Sequence, residues 1–180
     1  MNRPRGLPPW AENALLIGLG VVAVQAPLVP LDLAGRLVPP DLLYGLVVAW
    51  VIRRPVATPL WIVVALGLFA DVMLSRPLGL GALGLVLATE AFRVRAGRFS
   101  GVPFPVEWLA ATVGFAAMLA GMQIALELVF AQPPAIGTLV RHLVATALAY
   151  PIVVFGLTWC LGLRAARSSQ RYTLPAGRLR

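Results

Sequence analysis

Seven acidic residues in a chain of 180 are few enough to weigh singly, and Asp41, Asp71 and Glu127 stand within or at the edge of apolar runs. A carboxylate in the middle of a lipid-embedded helix costs about 2.5–3.5 kcal/mol on insertion scales, so such a group is kept for pairing, for ion passage or for recognition. Counted from Val56, Asp71 lies about 22 Å along a helix, which puts it in the outer half of a hydrocarbon core about 30 Å thick. Asp41, Glu127, Arg76 and Arg141 fall on the same side. These five residues predict a paired polar network, with Asp71 bound to Arg76 or Arg141. The expected role is internal salt bridging that fixes helix register, ahead of partner binding and then of a proton relay. Glu90 and Glu107 fall at the opposite rim, and Glu90 is expected to pair with Arg93 three residues on.

Other chemistries lack their residues. Cys160 and His142 are the only residues of their types, which excludes an internal disulfide and a His/Cys metal cluster. Cys160 reads as a small packing residue and His142, beside Arg141, as interfacial. There is no Gly-x-Ser-x-Gly, metal-ligand pair or phosphate loop. The expectation is a non-enzyme without a cofactor.

The elements that position these residues follow from composition. The chain is 59% hydrophobic and 12% charged, against about 45–50% and about 25% in soluble domains; with so little charge, lipid is the natural solvent. Apolar runs cover residues 13–31, 38–52, 56–75, 78–92, 106–130 and 142–163. They predict an all-α integral membrane protein with about six transmembrane helices, five being the alternative because the second and fourth runs are short enough to be re-entrant. Residues 1–163 form the polytopic membrane domain and 164–180 a basic cytoplasmic tail, with no room for a catalytic head. The first run reads as a retained helix, because Val24-Gln25-Ala26 before Pro27 is a poor cleavage site.

All fifteen basic residues are Arg. They lie between apolar runs instead of forming one basic face, so nucleic acid is not the expected partner; anionic membrane lipid is. Arg3, Arg5, Arg53, Arg54, Arg93, Arg95, Arg98, Arg164, Arg167, Arg171, Arg178 and Arg180 share one side, and Arg36, Arg76 and Arg141 the other. The positive-inside rule then places both termini in the cytoplasm and favours an even number of spans.

Helix five carries Ala110, Gly114, Ala117, Gly121 and Ala125 at spacings of three and four, a face that another backbone can approach closely. Gly81, Gly84 and Ala88 make a shorter stripe on helix four. Packing within the monomer is the first expectation for the helix-five face, and docking of a partner helix the second.

Three stretches, taken in order, resemble the rod shape-determining protein MreD family. They are Val38-Pro39-Pro40-Asp41-Leu42-Leu43 through Trp50 to Arg53-Arg54-Pro55; Gly67-Leu68-Phe69-Ala70-Asp71 followed by Pro77-Leu78-Gly79-Leu80-Gly81; and the last helix with Tyr150-Pro151. The resemblance covers essentially the whole chain, and Asp41, Asp71, Pro77 and Gly79 match as motif positions without assigned roles. It implies a multi-pass subunit of the bacterial inner membrane, similar in fold to the substrate-binding subunits of energy-coupling-factor transporters. The implied activity is that of a non-catalytic scaffold of cell elongation. It would bind MreC and, through the complex, RodA, a class B penicillin-binding transpeptidase and MreB, and so help organise lateral peptidoglycan synthesis and rod shape. The alternative, a substrate-capturing subunit of a small-solute transporter, needs a partly polar pocket. The neutral polar residues within helices that are available for one are Gln25, Thr89, Thr112, Gln123, Thr146 and Thr158.

Overall fold

The computed structural model describes residues 8–28, 38–55, 58–99, 102–129 and 134–160. The expectations for Arg3, Arg5, Arg36, the side chain of Cys160 and the 164–180 tail fall outside them. Among the described residues there are six α-helices and no strand: α1 (Pro9–Gln25, continued by a 3-10 turn Ala26–Leu28), α2 (Leu42–Arg53), α3 (Leu60–Met73), α4 (Leu80–Phe99), α5 (Phe104–Leu128) and α6 (Ile136–Cys160). Three of them, α1 with its 3-10 turn, α5 and α6, are long and apolar enough to cross a membrane. This is a helical membrane protein.

The short α2 is the axis of the bundle. It packs against α1, α4, α5 and α6, and every residue from Leu43 to Arg53 is buried. A helix that is apolar all round has no solvent face and belongs in the middle. On α5 the buried positions recur at intervals of four, Glu107, Ala111 and Phe115, while Leu109 and Val113 face outward. On α6, Val140, Val144, Leu148 and Ile152 make an exposed stripe at the same interval. In water such faces would be polar; here they meet hydrocarbon.

Helix boundaries depart from the apolar runs where charge is compatible with helix. The fourth run ends at Phe92, but α4 continues to Phe99 with Arg98 in its last turn, where a cation complements the helix C-terminus. α6 starts at Ile136, six residues before the expected His142. Its internal Pro151 has no N–H for the carbonyl of Ala147. Trp108 Nε1 of α5 donates to that carbonyl instead, at 2.8 Å, so the freed acceptor ties α5 to α6.

α3 and α4 approach each other closely, backbone to backbone. A Cβ on Gly67 would lie 2.7 Å from the Cα of Ala82, so only glycine permits this approach.

Candidate functional site

Polar side chains gather at the two ends of α2. At its N-terminal end, Asp41 caps the helix: Oδ1 accepts from Tyr44 N at 2.9 Å, one of the donors a helix start leaves free. Asp41 Oδ2 pairs with Arg76 at 3.2 Å, and Asp41 N donates to Thr146 Oγ1 of α6 at 2.9 Å.

Asp71, 1% exposed, does not pair with Arg76 or Arg141 as the sequence led us to expect. Its Oδ2 accepts from Gly79 N at 2.8 Å and Ala82 N at 3.2 Å, so it caps α4 from the helix before. The chain turns between them with Ser75 at φ 51° and Gly79 at φ 88°. Arg76 N donates to Asp71 O at 2.9 Å and Ser75 N to Val72 O at 3.3 Å. That is a Schellman closure with serine in the position glycine usually takes. One residue thus ends α3 with its carbonyl and begins α4 with its carboxylate. Four N–H groups at a helix start attract a negative charge, which answers Asp71 without an arginine. Its Oδ1 accepts no hydrogen bond among the described residues and lies against Gly81, where any Cβ would collide with it.

The predicted five-residue network therefore reduces to one ion pair, Asp41 with Arg76. Glu127 is exposed and accepts from Gln123 Nε2 at 3.1 Å. Arg141 is exposed and bonds to Gly137 O at 3.2 Å, within its own helix. Both lie on outward faces of α5 and α6, and their spacing along the sequence could not reveal which way those faces turn.

At the other end of α2 lies a cluster that the sequence reading missed. Arg53 and Glu107, expected in a loop and at the rim, are buried. Arg53 Nη1 meets Glu107 Oε1 at 2.8 Å and Nη2 meets Oε2 at 3.4 Å. Tyr150 Oη donates to Glu107 Oε1 at 2.8 Å, and Arg53 Nη1 also reaches Ala49 O at 2.9 Å. This fork-on-carboxylate geometry joins α2, α5 and α6. The available signal was the lone Glu107 in the first turn of an apolar helix, which needs a cation when buried. Glu90 does pair with Arg93, at 3.1 Å, as expected. Arg93 also donates to Pro55 O at 3.1 Å and Thr58 O at 2.6 Å, closing the α2–α3 connection.

Two concavities among the described residues bear on the predicted site and on the small-residue face. The first, about 260 Å³, opens at the N-terminal end of α2 and is lined by Asp41, Tyr44, Asp71, Arg76, Gly81 and His142 among apolar neighbours. The second is an apolar groove of about 700 Å³ between α4 and α5. Ala110, Gly114, Ala117 and Gly121 line it from α5 and Gly84 and Ala88 from α4, with Arg95 among its lining residues. The small-residue face is divided in its use. A Cβ on Gly114 would meet Tyr44 Oη at 2.8 Å and Phe92 at 3.0 Å, whereas one on Gly121 would meet nothing within 4 Å. Gly114 serves internal packing, while Gly121 stands open to the groove.

The neutral polar residues considered for a solute pocket are mostly spent locally. Thr89, Thr112 and Thr158 donate to carbonyls four residues back. No group of three or more His, Cys, Asp or Glu residues is placed to hold a metal ion among the described residues. No protein-family model, no curated protein and no solved structure matches the chain.

Proposed function

We propose that this chain is a non-catalytic scaffold subunit of the bacterial cell-elongation machinery. In this reading it sits in the inner membrane with six spans and both termini cytoplasmic. It binds MreC and works with RodA, a class B penicillin-binding transpeptidase and MreB to organise lateral peptidoglycan synthesis. The fold expected with it is that of the energy-coupling-factor substrate-binding subunits. The observation that carries the reading is what the motif residues do. Asp41 caps α2, Asp71 caps α4, and Gly79 supplies the left-handed turn between α3 and α4. A motif whose members build the bundle suits a protein that works by presenting surfaces. The α4–α5 groove is the surface of choice for a partner's transmembrane helix, since small residues let backbones approach where burial of apolar groups alone gives little.

Depletion from the host should widen cells and stop elongation; unchanged width and growth overturn the reading. The docking face is tested with Ala117→Leu/Gly121→Leu, which fills the open half of the groove without touching Tyr44 or Phe92. The double variant should accumulate normally and lose tagged MreC on co-purification. Full retention of MreC removes the groove as the docking face.

A second reading, capture of a small solute for transport, draws support from the cavity at Asp71.

A further inference from the structure

Arg95 is the one charged residue among those lining the α4–α5 groove, and it is held unlike its neighbours. Arg53 is answered by Glu107, and Arg93 by Glu90, Pro55 O and Thr58 O. Arg95 is exposed and pairs with no carboxylate among the described residues. Its one hydrogen bond among them is to Ala91 O at 3.0 Å, a turn back on its own helix. A guanidinium is a fork of N–H donors, so most of this one faces no acceptor there. Its depth is set by Trp61. That indole is exposed, and it stands three residues from Thr58, whose carbonyl holds Arg93 two positions before Arg95. Exposed tryptophan settles at the headgroup level of a bilayer, so Arg95 sits where lipid phosphates lie.

The groove beyond Arg95 fits a hydrocarbon chain. Gly84, Ala88 and Ala91 of α4 and Ala110, Gly114 and Ala117 of α5 keep it open. Phe92 and Phe99 line it near Arg95, their ring centroids 5.8 Å apart, and Leu83, Leu87 and Val113 are more than half exposed along it. From Arg95 to Leu80 it follows about 22 Å of helix rise, more than the roughly 15 Å that one leaflet contributes to the hydrocarbon core. We propose that this groove binds an anionic phospholipid of the leaflet that the arginine distribution makes cytoplasmic, with its phosphate on Arg95 and one acyl chain between α4 and α5. A partner helix would need a carboxylate of its own at that depth to answer Arg95, whereas an anionic lipid brings its charge there. The lipid fills the surface that the scaffold reading gives to a partner helix, so the two exclude each other; only that exclusion rests on the scaffold reading.

The test uses the purified full chain in detergent, with bound lipid counted by native mass spectrometry. It is titrated with dioleoyl phosphatidylglycerol or with dioleoyl phosphatidylcholine, whose ammonium group offsets its phosphate. The first phosphatidylglycerol should bind about fivefold more tightly than the first phosphatidylcholine, as expected for one arginine at an anionic headgroup. Arg95→Gln should bring the two affinities together. Arg98→Gln, on the same helix end but outside the groove lining, should leave the preference intact. Ala91→Leu/Ala117→Leu places a larger side chain at an exposed position on each wall; it should weaken both lipids severalfold with the helical circular dichroism unchanged. Equal affinities in the unaltered chain, a preference that survives Arg95→Gln, or its equal loss in Arg98→Gln overturns the proposal. So does undiminished binding to the groove-filling variant, or a dimer that excludes lipid, which would give the groove to a second copy of the chain. MreC is absent throughout, so the outcome stands whether or not the scaffold reading does.

Discussion

The two ends of α2 solve the same problem, a carboxylate inside an apolar bundle, by different means. At the N-terminal end Asp71 is answered by the main-chain N–H groups of Gly79 and Ala82, and Asp41 in part by that of Tyr44. At the C-terminal end Glu107 is answered by the side chains of Arg53 and Tyr150. Main-chain donors at a helix start come with the fold and are not removed by truncating a side chain. A guanidinium is deleted by one substitution, leaving its partner charged and buried. The two ends should therefore fail differently.

The largest effect belongs to the side-chain end. Arg53→Met strands Glu107 and should cost about 3–5 kcal/mol, whereas Arg53→Met combined with Glu107→Met should recover most of the loss. Denaturant unfolding of the purified protein in mixed micelles measures both, and a double variant no better than the single one would erase the contrast. At the main-chain end the acceptor matters more than the charge. Asp71→Leu strands two amides at about 1–3 kcal/mol each and crowds Gly81; Asp71→Asn keeps an oxygen and should cost clearly less in the same assay. Equal losses would mean that the charge on Asp71, not its geometry, holds α4. The smallest effects sharpen the comparison from outside it. Arg76→Ala should cost about 1 kcal/mol, because its side chain is 25% exposed and Asp41 keeps its amide partner. Arg141→Ala should cost about 0.5 kcal/mol or less.

The helices were legible because, in a chain this poor in charge, long apolar runs have little to become but helices in lipid. Their ends could not be read, because hydropathy falls at Arg93 while the backbone of α4 goes on to Phe99. Pairing followed the same divide. Glu90 with Arg93 is a contact within one helix, fixed by a spacing of three residues. Arg53 with Glu107 spans 54 positions and depends on α2 passing beside the start of α5, which no local pattern encodes. Asp71 misled for a different reason. Counting charges suggests arginines, and the alternative donors, the N–H groups of Gly79 and Ala82, are of a kind present at every residue but proline. The Gly in the turn just ahead of an apolar helix was the visible trace of that arrangement. The small-residue face of α5 was legible as a face, but its division between Gly114 and Gly121 follows from where Tyr44 and Phe92 stand.

The central position of α2 has a consequence for how the protein is made. Synthesis runs from the N-terminus, so α2 is made before α3 to α6, yet its polar groups are answered by those later segments. Asp41 Oδ2 waits for Arg76, 35 positions on; Arg53 waits for Glu107, 54 positions on; the amide of Asp41 waits for Thr146, 105 positions on. With 12 residues, or about 18 Å of rise, α2 is also shorter than the roughly 30 Å of hydrocarbon around it. Lipid offers neither partners nor a matching thickness. A helix that leaves the ribosome early is thus among the last to have its polar groups satisfied, and the bundle closes around it only once α6 has arrived.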